Sequence, residues 1–514
     1  MHRVSKLPTL VFAFALVASC RSPDKSDGER LAHTYCAACH AFPDPSLLDK
    51  QTWRTGVLPQ MVQRLSGPPQ LSVAQPETRS PYMTVLTRPV PEQDRDRIVA
   101  FYLEHAPDSL PPQTLPAEPG IDPERFRAGP FVTPSIRLAS SAIITLLYAD
   151  TADRRIYVGE AATNLLRVFG WDRRLITTLQ LPSPPTGVIA EGRLVLVLES
   201  GILEPNDEPR GSLVQYDVGP DGALHFNRTI IDSLFRPVFV REFDADGDGR
   251  NDFLIAEFGD NRGRLALYRS TGSGYERRVL DATPGAIRFE LHDLTGDGRA
   301  DIVALFGQGD ERIVLYPADG TGRFTERRVL ARFPPVYGSM YFTMRDFNGD
   351  GALDILYVNG DNYDMSRVRK PFHGVRILEN DGANNFTERF FFPVYGAAQA
   401  AVADFDRDGR LDLVVTSNFA DPAFHPERGI MFLQNTGAYT FQPYAFSVSA
   451  GSQWNLTTTA DFDGDGRLDV LIGAMRLENI ARLQRGRGPP AERSEPLLLF
   501  ENRGRGRGQV VESN

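Results

Sequence analysis

Cys36-Ala37-Ala38-Cys39-His40 is the stretch of this chain best equipped for chemistry. Two thiols at this spacing can add to the two vinyl groups of one haem, and the histidine that follows then reaches the iron as its proximal ligand. The chain has three cysteines, and two of them are here. Two other uses of the motif are a redox dithiol, which calls for a βαβ context, and a zinc site made with His40 and His33, which calls for a fourth ligand. Neither context surrounds these residues. For the distal side of the iron, the candidates are Met83 and Met61. Methionine ligation would raise the reduction potential and suit electron transfer. Either methionine could equally be a gap-filling core residue.

A second chemistry is written five times. The pattern D-x-[DNT]-x-D-G-x-x-D begins at Asp244, Asp293, Asp346, Asp404 and Asp461, with steps of 49, 53, 58 and 57 residues. Alternate positions of a tight loop converge hard oxygens on one centre, as a calcium ion requires. The ligand sets are Asp244, Asp246, Asp248 and Asp252; Asp293, Thr295, Asp297 and Asp301; Asp346, Asn348, Asp350 and Asp354; Asp404, Asp406, Asp408 and Asp412; Asp461, Asp463, Asp465 and Asp469. Thr295 stands at the third position of the second loop, which should bind more weakly, and Asn348 in the third loop keeps an oxygen but drops a charge. A single loop of this kind can be explained by Asp capping its own turn. Five loops with several carboxylates each are costly without a cation. The formal charge is −10, which up to five Ca²⁺ would offset. The ions are expected to act as structural clips.

These residues need elements to hold them. Arg3 and Lys6 precede an apolar run, Leu7 to Ala18, too short to span a bilayer and suited to a signal peptide. It ends in Val17-Ala18-Ser19-Cys20, which resembles the lipobox of bacterial lipoproteins. The resemblance implies acylation of Cys20 and a stable membrane anchor. Helical patterns follow over Glu29–Ala38, Asp49–Leu65 (interrupted by Pro59) and Glu92–Glu104. A haem motif at the start and an amphipathic helix at the end resemble a class I cytochrome c domain, with Met83 where that family usually carries its methionine. Cytochrome domains fused to repeats often carry an L-P-x-M segment, as Leu58-Pro59-Gln60-Met61 does. About 80 residues make a marginal core that a covalent haem would enlarge.

Prolines at 107, 111, 112, 116, 119 and 123 read as a stiff connector. After it, short aliphatic runs alternate with Gly, Asp and Asn. Each acidic loop is followed by a strand ending in a Gly turn, at Gly272, Gly320, Gly382, Gly437 and Gly504. A period of this size signals propeller blades. Two degenerate copies, near Leu147–Gly159 and Gly187–Leu198, bring the expected total to seven. The ring would be closed by residues 130–140 or by the strand near Val510-Val511. Phe258-Gly259 and Phe306-Gly307-Gln308-Gly309 resemble the FG-GAP or VCBS repeat family, which includes integrin α-subunit propellers.

The expected fold is therefore multidomain, a small all-α cytochrome c domain followed by an all-β propeller. The boundaries are 1–19 signal peptide, 20–28 tether, 29–107 haem domain, 108–129 linker and 130–514 propeller. No nucleophile elbow, zinc-protease helix or phosphate loop is present. His225, His292, His373 and His425 stand singly. The basic segment Arg476–Arg493 reads as a solvated insertion or as a docking patch for an acidic partner. Function is expected to be electron transfer through one haem c, in the cell envelope on the periplasmic or cell-surface side. A redox protein is the expected partner, with a glycan or protein ligand at the propeller, and no nucleic acid. The competing readings are a propeller-based dehydrogenase reducing its own haem, and a surface adhesion module with an accessory haem domain.

Overall fold

The computed structural model describes residues 27–66, 89–131, 143–361, 368–421, 425–450, 452–476 and 495–504. Cys20, Met83, nearly all of the basic segment, residues 132–140 of the expected closing segment 130–140, and Val510-Val511 lie outside these residues.

Seven antiparallel sheets form a ring. Blades 1 to 6 run over residues 144–180, 185–234, 237–281, 286–332, 339–393 and 397–445. Blade 7 takes three strands from 454–502 and its outer strand from Phe126–Pro130. The first strand of every blade packs on the first strands of its neighbours, and Trp454–Ala460 of blade 7 packs on Ile144–Asp150 of blade 1. That last contact closes the circle. The seven-bladed propeller is thus the architecture that the five loops and two degenerate copies imply.

The reason lies in the second strand of each blade. Asp252–Glu257, Asp301–Phe306, Asp354–Asn359, Asp412–Ser417 and Asp469–Ala474 are buried at every position. Between its end residues each is largely apolar on both faces, because a blade is covered on both sides by its neighbours. The outer strands, such as Tyr275–Asp281, revert to exposed polar residues. Successive antiparallel strands put the acidic loops and the Gly turns on one face of the ring. The connections from second to third strand, and between blades, emerge on the other.

The closing strand is the finding that differs from expectation. Residues 108–129 read as a linker, yet most of that segment is docked. Gln113 donates its backbone N–H to the Tyr395 hydroxyl (2.8 Å) and its side-chain amide to the His373 carbonyl (2.8 Å). Gly120–Ile121 adds a parallel strand to the edge of blade 6. Phe126–Pro130 then pairs with Leu497–Asn502, Phe126 opposite Asn502 and Pro130 opposite Leu498. Pro130 can serve here because an outermost strand has no further neighbour to donate to.

The helices form a separate apolar cluster. They are α1 (Asp27–Tyr35), α2 (Lys50–Thr52), α3 (Leu58–Leu65) and α4 (Glu92–His105). Between α2 and α3 a π turn spans Trp53–Val57, immediately before Pro59. Proline cannot donate to the preceding turn, and the wider turn absorbs the misfit. α1 crosses α4 at Gly28, where a Cβ would sit 2.6 Å from the Arg97 carbonyl oxygen. Trp53, Leu58, Ile98, Phe101 and Tyr102 fill the interior, and Val336, from the connection between blades 4 and 5, packs against the same cluster. The helices therefore rest on the face opposite the acidic loops.

Phe126 is 7% exposed and meets Phe405, Phe432, Phe446 and Phe500. Phe126→Ala should cost about 3–5 kcal/mol in denaturant unfolding, as a core aromatic does; a linker residue would cost under about 0.5 kcal/mol.

Candidate functional sites

The cysteine motif begins where α1 ends. Cys36 N donates to the Ala32 carbonyl (2.8 Å), the last helical bond, and Cys39 N donates to the Cys36 carbonyl (3.3 Å). Both cysteines are free thiols of intermediate exposure. Burial pushes the Cys36 thiol up to about 11, against a smaller opposing effect of its hydrogen bond with Tyr102. Burial also raises Cys39. A redox dithiol needs the reverse, a thiol made acidic by its surroundings. Among the described residues, no group of three metal-ligating side chains forms around these thiols. His33 instead stacks on Phe42, with ring centroids 3.8 Å apart.

His40 engages the Ala41 carbonyl through Nδ1 (2.8 Å). This leaves Nε2 as the nitrogen free to ligate, the usual arrangement for a metal-binding imidazole. Burial lowers its basicity, favouring the neutral ring that a metal needs. Cys36, Met61 and Phe42 pack against the helical cluster, so Met61 lies in the same apolar neighbourhood as the motif. Asp310 and Arg332 of blade 4 act electrostatically on both Cys39 and His40, so the propeller contributes to the surroundings of the motif.

The acidic loops each join the first and second strands of blades 3 to 7. In the first, Asp244 accepts from the backbone N–H groups of Gly247 (2.8 Å), Asp248 (3.1 Å) and Gly249 (2.9 Å). These bonds, Gly249's foremost, hold its carboxyl below the usual range. Asp293, Asp346, Asp404 and Asp461 repeat the bond to the glycine five residues on, at 2.8–2.9 Å. Gly249 has a φ of +81°, and the matching glycines lie between +81° and +88° or close to it, a conformation that side chains avoid.

Three carboxylate groups come within 4.8 Å of one another in three loops: Asp244, Asp246 and Asp248; Asp404, Asp406 and Asp412; Asp461, Asp463 and Asp465. The Thr295 and Asn348 loops do not form such a group. Asn348 instead donates to Asp350 (2.8 Å).

The ninth position plays a part not visible in the motif. Asp252, Asp301, Asp354, Asp412 and Asp469 are at most 1% exposed. Each accepts from a backbone N–H at or near the end of the third strand: Ser270 (2.7 Å), Ala318 (2.7 Å), Asn380 (2.9 Å), Asn435 (2.7 Å) and Asn502 (2.7 Å). Except in Asp412, the other oxygen accepts from the loop itself, as Asp469 does from Phe462 N (3.0 Å). One buried carboxylate thus ties the acidic loop to the Gly-turn hairpin. Asp412 Oδ2 is buried with no hydrogen-bond partner, and the Asp412 carboxylate brings an oxygen within 4.8 Å of oxygens of Asp404 and Asp406.

Two further features escaped the motif reading. Arg250, Arg299, Arg410 and Arg467, at the seventh position, pair with Asp248, Asp297, Asp408 and Asp465. The fixed offset of these arginines was the available signal. Arg125 approaches Asp406 (3.5 Å) from the closing segment, and no local pattern announces that contact.

Residues 244–304 and 293–357 match the model of the FG-GAP-like repeat. No curated protein sequence matches the chain. Similar solved structures include a chain of an S. cerevisiae complex of a dbp5 variant with nup159, a gle1 variant, ip6 and adp. It is 12% identical, has a TM-score of 0.42, and the alignment covers 76% of this chain and 98% of that one. The Dos1 propeller is 11% identical with a TM-score of 0.42, covering 70% and 78%. The Neurospora crassa Pan2 WD40 domain is 11% identical with a TM-score of 0.42, covering 76% and 99%. The chain thus carries FG-GAP-like repeats in a seven-bladed propeller.

Burial raises Asp412 to about 7 and Asp469 to about 6, with nearby loop aspartates adding to the shift. An unfolded aspartate titrates near 3.9. Between these values the folded state holds more protons than the unfolded one, so stability must fall as pH rises. In the presence of chelator, the free energy of unfolding should drop by about 5 kcal/mol from pH 4.5 to 7.5 on account of these two groups. Asp412→Asn should flatten that slope in pH-dependent urea titrations.

Proposed function

We propose that this chain is an electron carrier of the cell envelope, with one haem c on a propeller stapled by calcium. The observation that carries the reading is the cysteine motif itself. Two neutral thiols lie at the end of α1 beside an apolar cluster, followed by a histidine whose Nδ1 is already engaged. Cys36 and Cys39 would hold the porphyrin by thioether bonds, and His40 Nε2 would ligate the iron. Met83 or Met61 would supply the sixth ligand. Bound there, the haem would exchange one electron between ferric and ferrous iron.

The chain's own contribution is position and dryness. The Ala41 carbonyl orients His40, while Phe42, Trp53 and Tyr102 exclude water. Val336 and the charged pair Asp310 and Arg332 bring the propeller up to the motif. A redox protein is the partner that this arrangement serves. Cys20, acylated, would anchor the chain to a membrane on the periplasmic or cell-surface side.

Up to five Ca²⁺ belong to the same reading. The unpartnered, fully buried oxygen of Asp412 beside Asp404 and Asp406 supports a cation in that loop. A buried anionic oxygen without a donor is costly, and a hard cation removes the cost. The loops led by Asp244 and Asp461 offer similar oxygen sets, whereas those with Thr295 and Asn348 offer fewer charges.

Protein made with haem-maturation machinery should carry one covalent haem by intact mass, and Cys36→Ser should lose the two-thioether form. An unmodified polypeptide overturns the proposal. The weak far-red band of an iron–sulfur bond should disappear in either Met83→Ala or Met61→Ala; persistence in both excludes methionine. Chelator should lower the melting temperature by several degrees, with calcium restoring it and Asp404→Asn shrinking the effect.

A further inference from the structure

The blades are repeats, so each one can be read against its sisters. At the end of the second strand, blades 1, 2 and 3 carry Glu160, Glu199 and Glu257, all buried. In blade 3, Glu257 pairs with Arg264 (2.7 Å), which lies directly opposite it in the ladder, and accepts from the Tyr268 hydroxyl (2.9 Å). In blade 1, Glu160 pairs with Arg167 (3.1 Å). Blade 2 keeps the glutamate and the tyrosine. Glu199 accepts from the Tyr216 hydroxyl (3.3 Å), but the residue opposite it is Ser212. The arginine is missing.

A cavity of about 370 Å³ stands beside the glutamate, lined by Glu199, Ser212, Tyr216, Ser183, Arg210 and Phe226 among others. Arg210 does not take the missing place. Its side chain is 66% exposed and pairs with Glu208 (3.5 Å). Glu199 is 2% exposed, and among the described residues its hydrogen-bond partner is Tyr216 alone. A carboxylate so far out of water and without a cation is destabilising. Burial duly raises Glu199 to about 7.

We propose that the blade 2 cavity binds an organic cation with a guanidinium head, which pairs with Glu199 as Arg264 pairs with Glu257 in blade 3. The surroundings suit that class. Phe226, 66% exposed, sets its ring edge-on to Tyr216, with centroids 6.2 Å apart, at the rim. In blade 3 the internal Arg264 likewise lies over a ring, 4.7 Å from the centre of Phe235. Cations gain from such faces. Val214, Pro182 and Ile202 offer apolar wall for an aliphatic stem. The head could come from a free small molecule or from an arginine of a partner protein, and the chemistry at Glu199 is the same.

The test uses the full-length protein in calorimetric titrations with agmatine, with a Gly-Arg-Gly peptide and with uncharged pentanamide as control. One or both cations should bind saturably and the control should not. Tighter binding of agmatine assigns the site to a small molecule, and tighter binding of the peptide assigns it to a partner's arginine. Glu199→Gln should weaken binding at least tenfold. Ser212→Arg, which restores the pairing of blade 3, should abolish binding and raise the melting temperature. It reports even where Glu199→Gln fails to fold. The proposal is overturned if neither cation binds, if Glu199→Gln or Ser212→Arg binds as well as the wild type, or if binding appears only in Arg210→Ala. That last outcome would make Arg210 the built-in counter-ion.

Discussion

Five buried carboxylates set the geometry of the acidic half of this propeller. The aspartate that opens the second strand of blades 3 to 7 is out of solvent and bonded to the backbone where the third strand runs into its hairpin. Four of the five also grip the loop behind them. A buried acceptor left without donors costs more than a bond gains. Loop and hairpin must therefore arrive together. This coupling is why the acidic motif and the Gly turn recur as a pair in the sequence, although strands separate them.

The ring has a second constraint at its seam. A circle of blades is stable only when its last member is complete, and the missing strand comes from upstream of blade 1. The same segment runs back through Ile121 and Gln113 towards α4, making contacts along blades 5 to 7. The chain connecting helices and ring is thus part of the ring. Val336 adds an apolar contact between the two. The placement of the cysteine motif beside blade 4 follows from this anchored path and not from a free tether.

Local patterns were legible in proportion to how local their physics is. Asp at alternate positions with glycine after the fifth describes one loop, and all five loops stand where the spacing puts them. The five loops and the two degenerate copies pointed to seven blades, and seven are present. Pro59 announced an irregular helix, and a π turn stands just before it. What the chain hid depends on distant partners. Phe126-Arg-Ala-Gly-Pro has no alternation and sits among prolines, so only its pairing with Leu497–Asn502 makes it a strand. Arg125 finds Asp406 across nearly the whole propeller sequence. The buried role of the ninth aspartate needs the third strand beside it, and a motif read along one loop cannot supply that.

The two faces of the ring handle negative charge in opposite ways. On the acidic-loop face, carboxylates cluster at the surface, and arginines at the seventh position neutralise only one member of each set. In two of the loops a second aspartate is matched as well, Asp246 by Arg269 and Asp406 by Arg125. On the opposite face, acids at the strand ends are buried and matched internally, Glu160 by Arg167 and Glu257 by Arg264. Asp281 and Asp310 share the buried Arg312 in the same manner. An internal match fixes a charge permanently and leaves nothing for a ligand to do. Blade 2 has lost both devices. It carries no acidic loop, and Ser212 stands where an arginine would. Of the three blades that end their second strand in a buried glutamate, blade 2 is therefore the one whose acid is open to a partner from outside.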